Sequence, residues 1–362
     1  MSLLGGNQTQ LKLQNKRLVL QSLYRLDRTT RVALAADTGL TKPTISSLVS
    51  ELLAEGLVAE DGLGRSTGQG GKRPTLLRFR NAARQVIGLT VERGRASGVL
   101  ADLSGRVSAQ HELAVGPPGT VAALSAVASA LLPQLDAELL GIALALPGRL
   151  DTATGTVVNS RALGLENVPL GADFEREYGV PVWLANYAEL SALGQLAFGF
   201  EPGERPASLV TVALDDRVEL GVSSRSGAEH YGSELAAPLL DGIGLGREGL
   251  TELLSGSGPD ACLLLRYRAL KGDAEARAKL HDLAGRLSTL CAWVTLLIGP
   301  DRISFAGRVT DLGEEFIQLI RHGMEQHLGN SALPRLGAAL TARLGALGAT
   351  ALILQKELGL LT

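Results

Sequence analysis

Cysteine is almost missing from this chain. Cys262 and Cys291 are the only two in 362 residues, too few for a disulfide framework or a cysteine zinc cluster, and in keeping with a reducing cytoplasm. Aromatic residues are scarce at 4%, so Ala, Leu, Gly and Val must fill the interior. No run of eighteen apolar residues occurs, which excludes a helical membrane span. The opening stretch MSLLGGNQTQLKLQNKR lacks the apolar region and small-residue cleavage site of a secretory signal. A cytoplasmic protein without membrane attachment is expected. Hydrophobic residues at 45% and charged residues at 20% are ordinary for a globular chain, and the length allows two or three domains.

A net charge of −2 conceals an asymmetry. Residues 1–84 carry 13 Lys and Arg against 6 Asp and Glu, while the remainder carries 22 against 31. A basic module on an acidic body suits contact between the first part and an anionic polymer.

That module reads as three helices and a hairpin. Asn15–Tyr24 is a first helix. Arg31–Asp37 is a second, capped by Thr29 or Thr30 and ended by Gly39. Thr41 caps a third, with Pro43 in its first turn, where a missing N–H costs nothing. Ile45, Leu48, Val49, Leu52 and Leu53 recur at helical spacing and form its buried stripe. Lys42, Thr44, Ser46, Ser47 and Ser50 lie off that stripe. Short hydroxyl side chains let a helix approach the major groove closely, and Lys42 is placed to neutralise a phosphate. The helix, glycine turn and helix match a helix-turn-helix whose second helix does the reading, although any three-helix bundle shows a similar stripe. Leu57–Glu60 and Thr75–Phe79 then read as strands around DGLGRSTGQGGKRP, a tip with five glycines and the cations Arg65, Lys72 and Arg73. This is the wing of a winged helix. Gly-Lys-Arg-Pro suits a narrow minor groove, where negative potential is strongest; a basic interdomain linker is the other reading.

From Val86 onward strands alternate with helices, an α/β pattern. Val86–Val91 and Ser97–Asp102 form a hairpin, and Gly141–Leu146, Val180–Leu184 and Leu209–Leu214 are further strands. Helices fall at Thr120–Leu135, Ala188–Ala197, Ala274–Leu297 and Leu312–His327. Several segments are distinctive in order and spacing: Val86-Ile87-Gly88-Leu89 with Leu100-Ala101-Asp102-Leu103-Ser104-Gly105-Arg106-Val107; Gly141–Gly148 followed by Asp151 and Gly155; Val180-Pro181-Val182 before Asn186; Ile298–Ile303; and Gly345–Ala349. In these the chain resembles the ROK family of repressors and sugar kinases. The resemblance implies a winged helix-turn-helix at 1–84 and, at 85–362, a two-lobed actin/hexokinase-like (ribonuclease H-like) domain. It also implies a homodimer or homotetramer and a sugar-like effector.

Departures from the family pattern bear on activity. A kinase member carries an Asp-x-Gly-x-Thr phosphate loop; this chain has Thr90-Val91-Glu92-Arg93-Gly94. The kinase base is the Asp of Glu-Asn-Asp; here the triplet is Ala185-Asn186-Tyr187, and a tyrosine with an ordinary pKa of about 10 is a poor base at neutral pH. The second phosphate loop reads Asp215-Asp216-Arg217, whose carboxylates repel phosphates. The zinc ligands of the family are replaced around Glu234-Leu235-Ala236-Ala237, and His230 alone makes no zinc site. No catalytic residue, metal or cofactor is therefore expected. Asn186, Tyr187, Glu234 and Glu252 remain as ligand-binding candidates, with Ala162 and Ala237 standing where the family has polar sugar contacts.

The resulting expectation is a DNA-binding regulator, a repressor by this resemblance, on an inverted-repeat operator of double-stranded DNA. Its DNA contacts would be Thr41, Lys42, Thr44, Ser46, Ser47, Arg65, Lys72 and Arg73. Two other readings stay open: a ligand-independent DNA-binding protein whose large domain only oligomerises, and an active sugar kinase.

Overall fold

Two threonines set the frame of the N-terminal unit. Thr30 accepts a hydrogen bond from Ala33 N at 3.2 Å and opens α2 (Arg31–Thr38); Thr41 accepts from Thr44 N at 3.4 Å and opens α3 (Lys42–Ala54). Between them Gly39, at φ 69°, makes the left-handed turn that a side chain would strain. The computed structural model describes residues 3–64, 73–92, 94–116, 119–160, 163–200, 204–214, 218–224, 239–254, 260–329, 333–339 and 344–361.

α1 covers Leu3–Leu26, starting well before the expected Asn15. Leu11 and Leu13, ahead of Asn15, are exposed, so periodicity had no buried stripe to follow at those positions. Val19, Leu20 and Leu23 are its buried contacts with Leu34, Ile45, Leu48 and Leu52. The sheet beside the helices has three strands in the order β1 (Arg28–Thr29), β3 (Thr75–Phe79), β2 (Val58–Leu63), all antiparallel. β2 runs on past the expected Glu60, and Gly64 N still bonds Pro74 O at 2.8 Å. The hairpin is closed to that point, and residues 65–72 lie outside the described residues.

The next unit is a five-stranded sheet in the order β11-β7-β4-β5-β6. The strands are β4 (Arg84–Glu92), β5 (Arg95–Asp102), β6 (Val107–Ala114), β7 (Glu138–Leu146) and β11 (Val182–Asn186). β4 pairs antiparallel with β5 and parallel with β7. Alternation along β4 and β7 divides the two faces. Ile87, Leu89, Ile142 and Leu144 pack with Leu124, Val127 and Phe174 of α4 (Thr120–Leu131) and α5 (Leu170–Tyr178). Val86, Ala143 and Ala145 face α6 (Tyr187–Phe198) and α11 (Leu344–Leu358). β8 (Arg149–Asp151), β9 (Thr156–Ser160) and β10 (Leu165–Val168) form a small separate sheet. The fourth sequence-read strand begins at Val182 rather than Val180, because Pro181 has no N–H to give the ladder.

A four-stranded sheet, β13-β12-β14-β15, builds the second lobe. Its strands are β12 (Ser208–Leu214), β13 (Val218–Ser224), β14 (Arg302–Gly307) and β15 (Arg335–Ala338). Val210, Val212, Ile303 and Phe305 pack against α9 (Ala274–Ile298) and α10 (Glu314–Leu328); α7 (Arg247–Leu253) and α8 (Ala261–Leu270) join the same core. α6 and α11 cross with almost no space between backbones. A Cβ on Gly348 would stand 2.1 Å from Leu190 O, and one on Gly194 would stand 2.4 Å from Gly348 N. Among the described residues no helix is long and apolar enough to cross a membrane.

One apolar core runs from α1 through β4 and α6 to the end of α11, from Val19 to Leu360. Gln21 Nε2 donates to Gly359 O at 2.7 Å and Leu103 N to Asn81 O at 3.0 Å. The helical N-terminal unit is thus packed onto the first lobe rather than tethered to it.

Candidate nucleic-acid interface and inter-lobe cleft

The periodicity of α3 separates its faces as the sequence implied. Ile45, Leu48, Val49 and Leu52 are buried, whereas Thr41, Lys42, Ser46, Ser47 and Ser50 are exposed and Thr44 is half-buried. Thr41 and Thr44 share a hydroxyl contact of 2.9 Å, and the Ser50 hydroxyl bonds Ser46 O at 2.9 Å. These bonds occupy part of the hydroxyl capacity, so Ser46 and Ser47 present the less committed side chains. Arg73 is exposed beside the hairpin root. Arg65 and Lys72 lie outside the described residues.

The same unit holds a set of ion pairs that inspection of the reading helix alone did not single out. Lys12 reaches Glu51 at 2.7 Å, and Lys16 bridges Glu51 at 3.2 Å and Glu55 at short range. Burial works to lower the Lys16 pKa, but its bonds to Glu55 and Glu51 outweigh that and raise it. Hydrogen bonds from Lys12 and Lys16 hold the Glu51 carboxyl below its ordinary value. α1 and α3 are therefore clamped through Glu51 and Glu55, one and two helical turns after Ser47. The signal was available as Lys12, Lys16, Glu51 and Glu55, each pair one helical turn apart.

The turn after β5 also has a structural use. Asp102 Oδ1 accepts from Ser104 N at 2.9 Å, Ser104 Oγ at 2.6 Å and Arg106 N at 3.1 Å. Gly105, at φ 80°, lies against Leu347 and Phe198, where a Cβ would stand 2.6 Å from Leu347 Cδ2. Tyr24 of α1 comes near this turn: burial raises its pKa to about 12, with Arg205 lowering it and Asp102 raising it. The Asp-Leu-Ser-Gly segment thus supports the seat of the helical unit.

In the cleft, Asn186 sits at the end of β11, 8% exposed, and caps α6. Its Oδ1 accepts from Ala188 N at 2.9 Å, while Glu189 Oε2 accepts from Asn186 N at 3.4 Å. One of its two polar ends is committed to the helix before any ligand arrives. Tyr187 is half-buried and touches both the first-lobe core and the small cluster of Ala188, Ala213 and Ala306 between the lobes. Glu252 is exposed on α7, a helix that packs on α9. Glu234, Ala162, Ala237, His230 and residues 215–217 lie outside the described residues. β4 and β5 pair out to Glu92 and Arg95, and Arg93 of the expected first phosphate loop lies outside the described residues.

Residues 86–214 match the ROK family. The chain is similar to the xylose repressor of Caldicellulosiruptor bescii, 31% identical over 201 residues, covering 54% of this chain and 50% of that protein. It is similar also to the xylose repressor of Bacillus subtilis, 29% identical over 223 residues, or 60% of this chain and 57% of that one. The matches span about half the length of these curated relatives. A solved ROK family transcriptional regulator, a homologue of Escherichia coli Mlc, shares the fold with a TM-score of 0.73 at 18% identity, covering 95% of this chain and 96% of that one.

Proposed function

A ROK family domain at residues 86–214 is the premise from which we propose that the protein is a DNA-binding transcriptional repressor of the cytoplasm. Residues 1–84 read an inverted-repeat operator and residues 85–362 form the oligomerising, effector-sensing body. The observation that carries this reading is the exposed face of α3, with Lys42 and four hydroxyl side chains beside a hairpin root bearing Arg73. A helix so lined fits the major groove, and the basic tip fits the adjoining minor groove. The names of the relatives support a sugar as effector. Selection of bound duplexes from a random pool tests the proposal. Enrichment of an inverted repeat is expected; a pool that stays random would sink it.

The large domain works without catalysis. Thr90-Val91-Glu92-Arg93-Gly94 lacks the Asp-x-Gly-x-Thr pattern of a phosphate loop, and Tyr187 stands where a general base is required. Loss of a general base alone costs about a hundred- to ten-thousand-fold, and phosphoryl transfer also needs its phosphates held. No ATP-dependent phosphorylation of common hexoses is expected, and Tyr187→Asp is not expected to restore it. Activity of the wild-type protein above a mock-purified control would overturn this.

A ligand-independent body is the second reading. It is favoured by the commitment of Asn186 Oδ1 to the α6 cap. Thermal-shift screening with pentoses and hexoses separates the two, since any ligand bound only by the folded state raises the melting temperature.

A further inference from the structure

At the edge of the second lobe away from the cleft, the first residues of β14 and β15 bring two arginines together. Arg302 and Arg335 occupy paired positions on the parallel strands. They line a cavity of about 420 Å³ with Phe200, Glu204 and Asp301. The C-terminal ends of β12 and β14, Leu214 and Gly307, lie at the other end of the strands, roughly 17 Å away at about 3.3 Å per residue.

Neither guanidinium has an acceptor for its N–H groups among the described residues. The Arg302 plane lies over the Phe200 ring, 5.3 Å from its centroid, and its Nε is buried without a hydrogen-bond partner. The ring fixes the plane and leaves the donors of the fork unused. Asp301, the nearest acid in sequence, faces the start of β12: its Oδ2 accepts from Ala207 N at 2.8 Å, Ser208 N at 2.9 Å and Ser208 Oγ at 3.4 Å. Glu204 lines the cavity but forms no ion pair with either arginine among the described residues. Burial and the neighbouring Arg335 both push the Arg302 pKa down, so the pair is held together against its own repulsion.

Two like charges brought together, neither of them ion-paired among the described residues, destabilise a fold unless something else is gained. Planar forks with free donors are the protein groups best matched to phosphate oxygens. We propose that this cavity is a binding site for a small dianion of the phosphate or phosphate-monoester class, gripped by Arg302 and Arg335 with Phe200 as its apolar floor. It is separate from the inter-lobe cleft and independent of any sugar effector.

Inorganic phosphate is the probe, added to the full-length protein at constant ionic strength with chloride as the balancing anion. A saturable rise in melting temperature of about 2–4 °C is expected at tenfold excess over the dissociation constant. The rise should vanish in Arg302→Gln/Arg335→Gln and persist in Lys42→Ala/Arg73→Ala, which separates this cavity from the DNA-reading face. Without phosphate, Arg335→Gln should melt at or above the wild-type temperature, because a repulsion has been relieved. Two results would overturn the site: a phosphate response equal in wild type and the double glutamine variant, or a fall in the melting temperature of Arg335→Gln without phosphate, which would mark the arginine as structural.

Discussion

Lys42 differs from most cations of its module in what surrounds it. Arg25 pairs with Asp37 at 2.6 Å, Arg28 with Asp61 at 2.7 Å and Arg31 with Glu60 at 3.6 Å, and Lys12 and Lys16 are held by Glu51 and Glu55. Lys42 makes no ion pair among the described residues and is exposed at the start of α3. The basic excess of residues 1–84 is therefore partly spent inside the module. Lys42→Ala is expected to weaken binding to specific and random duplexes alike and to lower the slope of log affinity against log salt by about one. Arg25→Ala should leave that slope unchanged. Fluorescence anisotropy between about 50 and 200 mM salt measures both, and equal slopes for wild type and Lys42→Ala would remove Lys42 from the interface.

The helices of the module were legible where local chemistry and burial agree. Thr41, Pro43 and the stripe from Ile45 to Leu52 mark α3 without ambiguity, and its faces divide accordingly. The start of α1 was not legible, because Leu11 and Leu13 are exposed and leave no periodic burial to read at those positions. β1 is two residues long and depends on its pairing with β3, a contact distant in sequence. What joins α1 to α3 is electrostatic and has a pH signature. Glu51 is held below its ordinary value of 4.5, so its contribution is complete above that value and is lost as pH falls through the depressed one. Lys16 is raised above 10.5, so its contribution is complete below that value and is lost as pH rises through the raised one. Across neutral pH both are present. Glu51→Gln should therefore melt below wild type at pH 7, with the gap closing as pH falls through the carboxylate range. A gap that stays constant down to the acid limit would show that Glu51 acts through packing instead.

At the scale of the molecule, the lobes were foreshadowed by the alternation of strands and helices and by the family resemblance. The use of individual residues was less visible. Asn186 reads as a ligand contact, yet its place at the end of β11 makes it the cap of α6. The long helix α9 divides its residues in the same manner. Leu283, Leu287, Leu290 and Val294 are core, while Leu296 and Leu297 are 71% and 85% exposed and Trp293 39% exposed at its C-terminal end. No charged residue interrupts Leu287–Gly299. A two-fold contact sets the same patch against itself, so a charge-free apolar end tolerates its own copy without repulsion, and exposed apolar clusters of this kind mark interaction surfaces. Two recognition helices need such symmetry to read an inverted repeat. The wild-type protein is accordingly expected to be at least dimeric at micromolar concentration by light scattering. Leu297→Asp should be monomeric, should melt close to wild type because the side chain buries nothing in the protomer, and should bind an inverted repeat no more tightly than a single half-site. If Leu297→Asp keeps the wild-type mass, the end of α9 is not the contact; if the wild type is itself a monomer with and without DNA, paired reading of an operator fails with it.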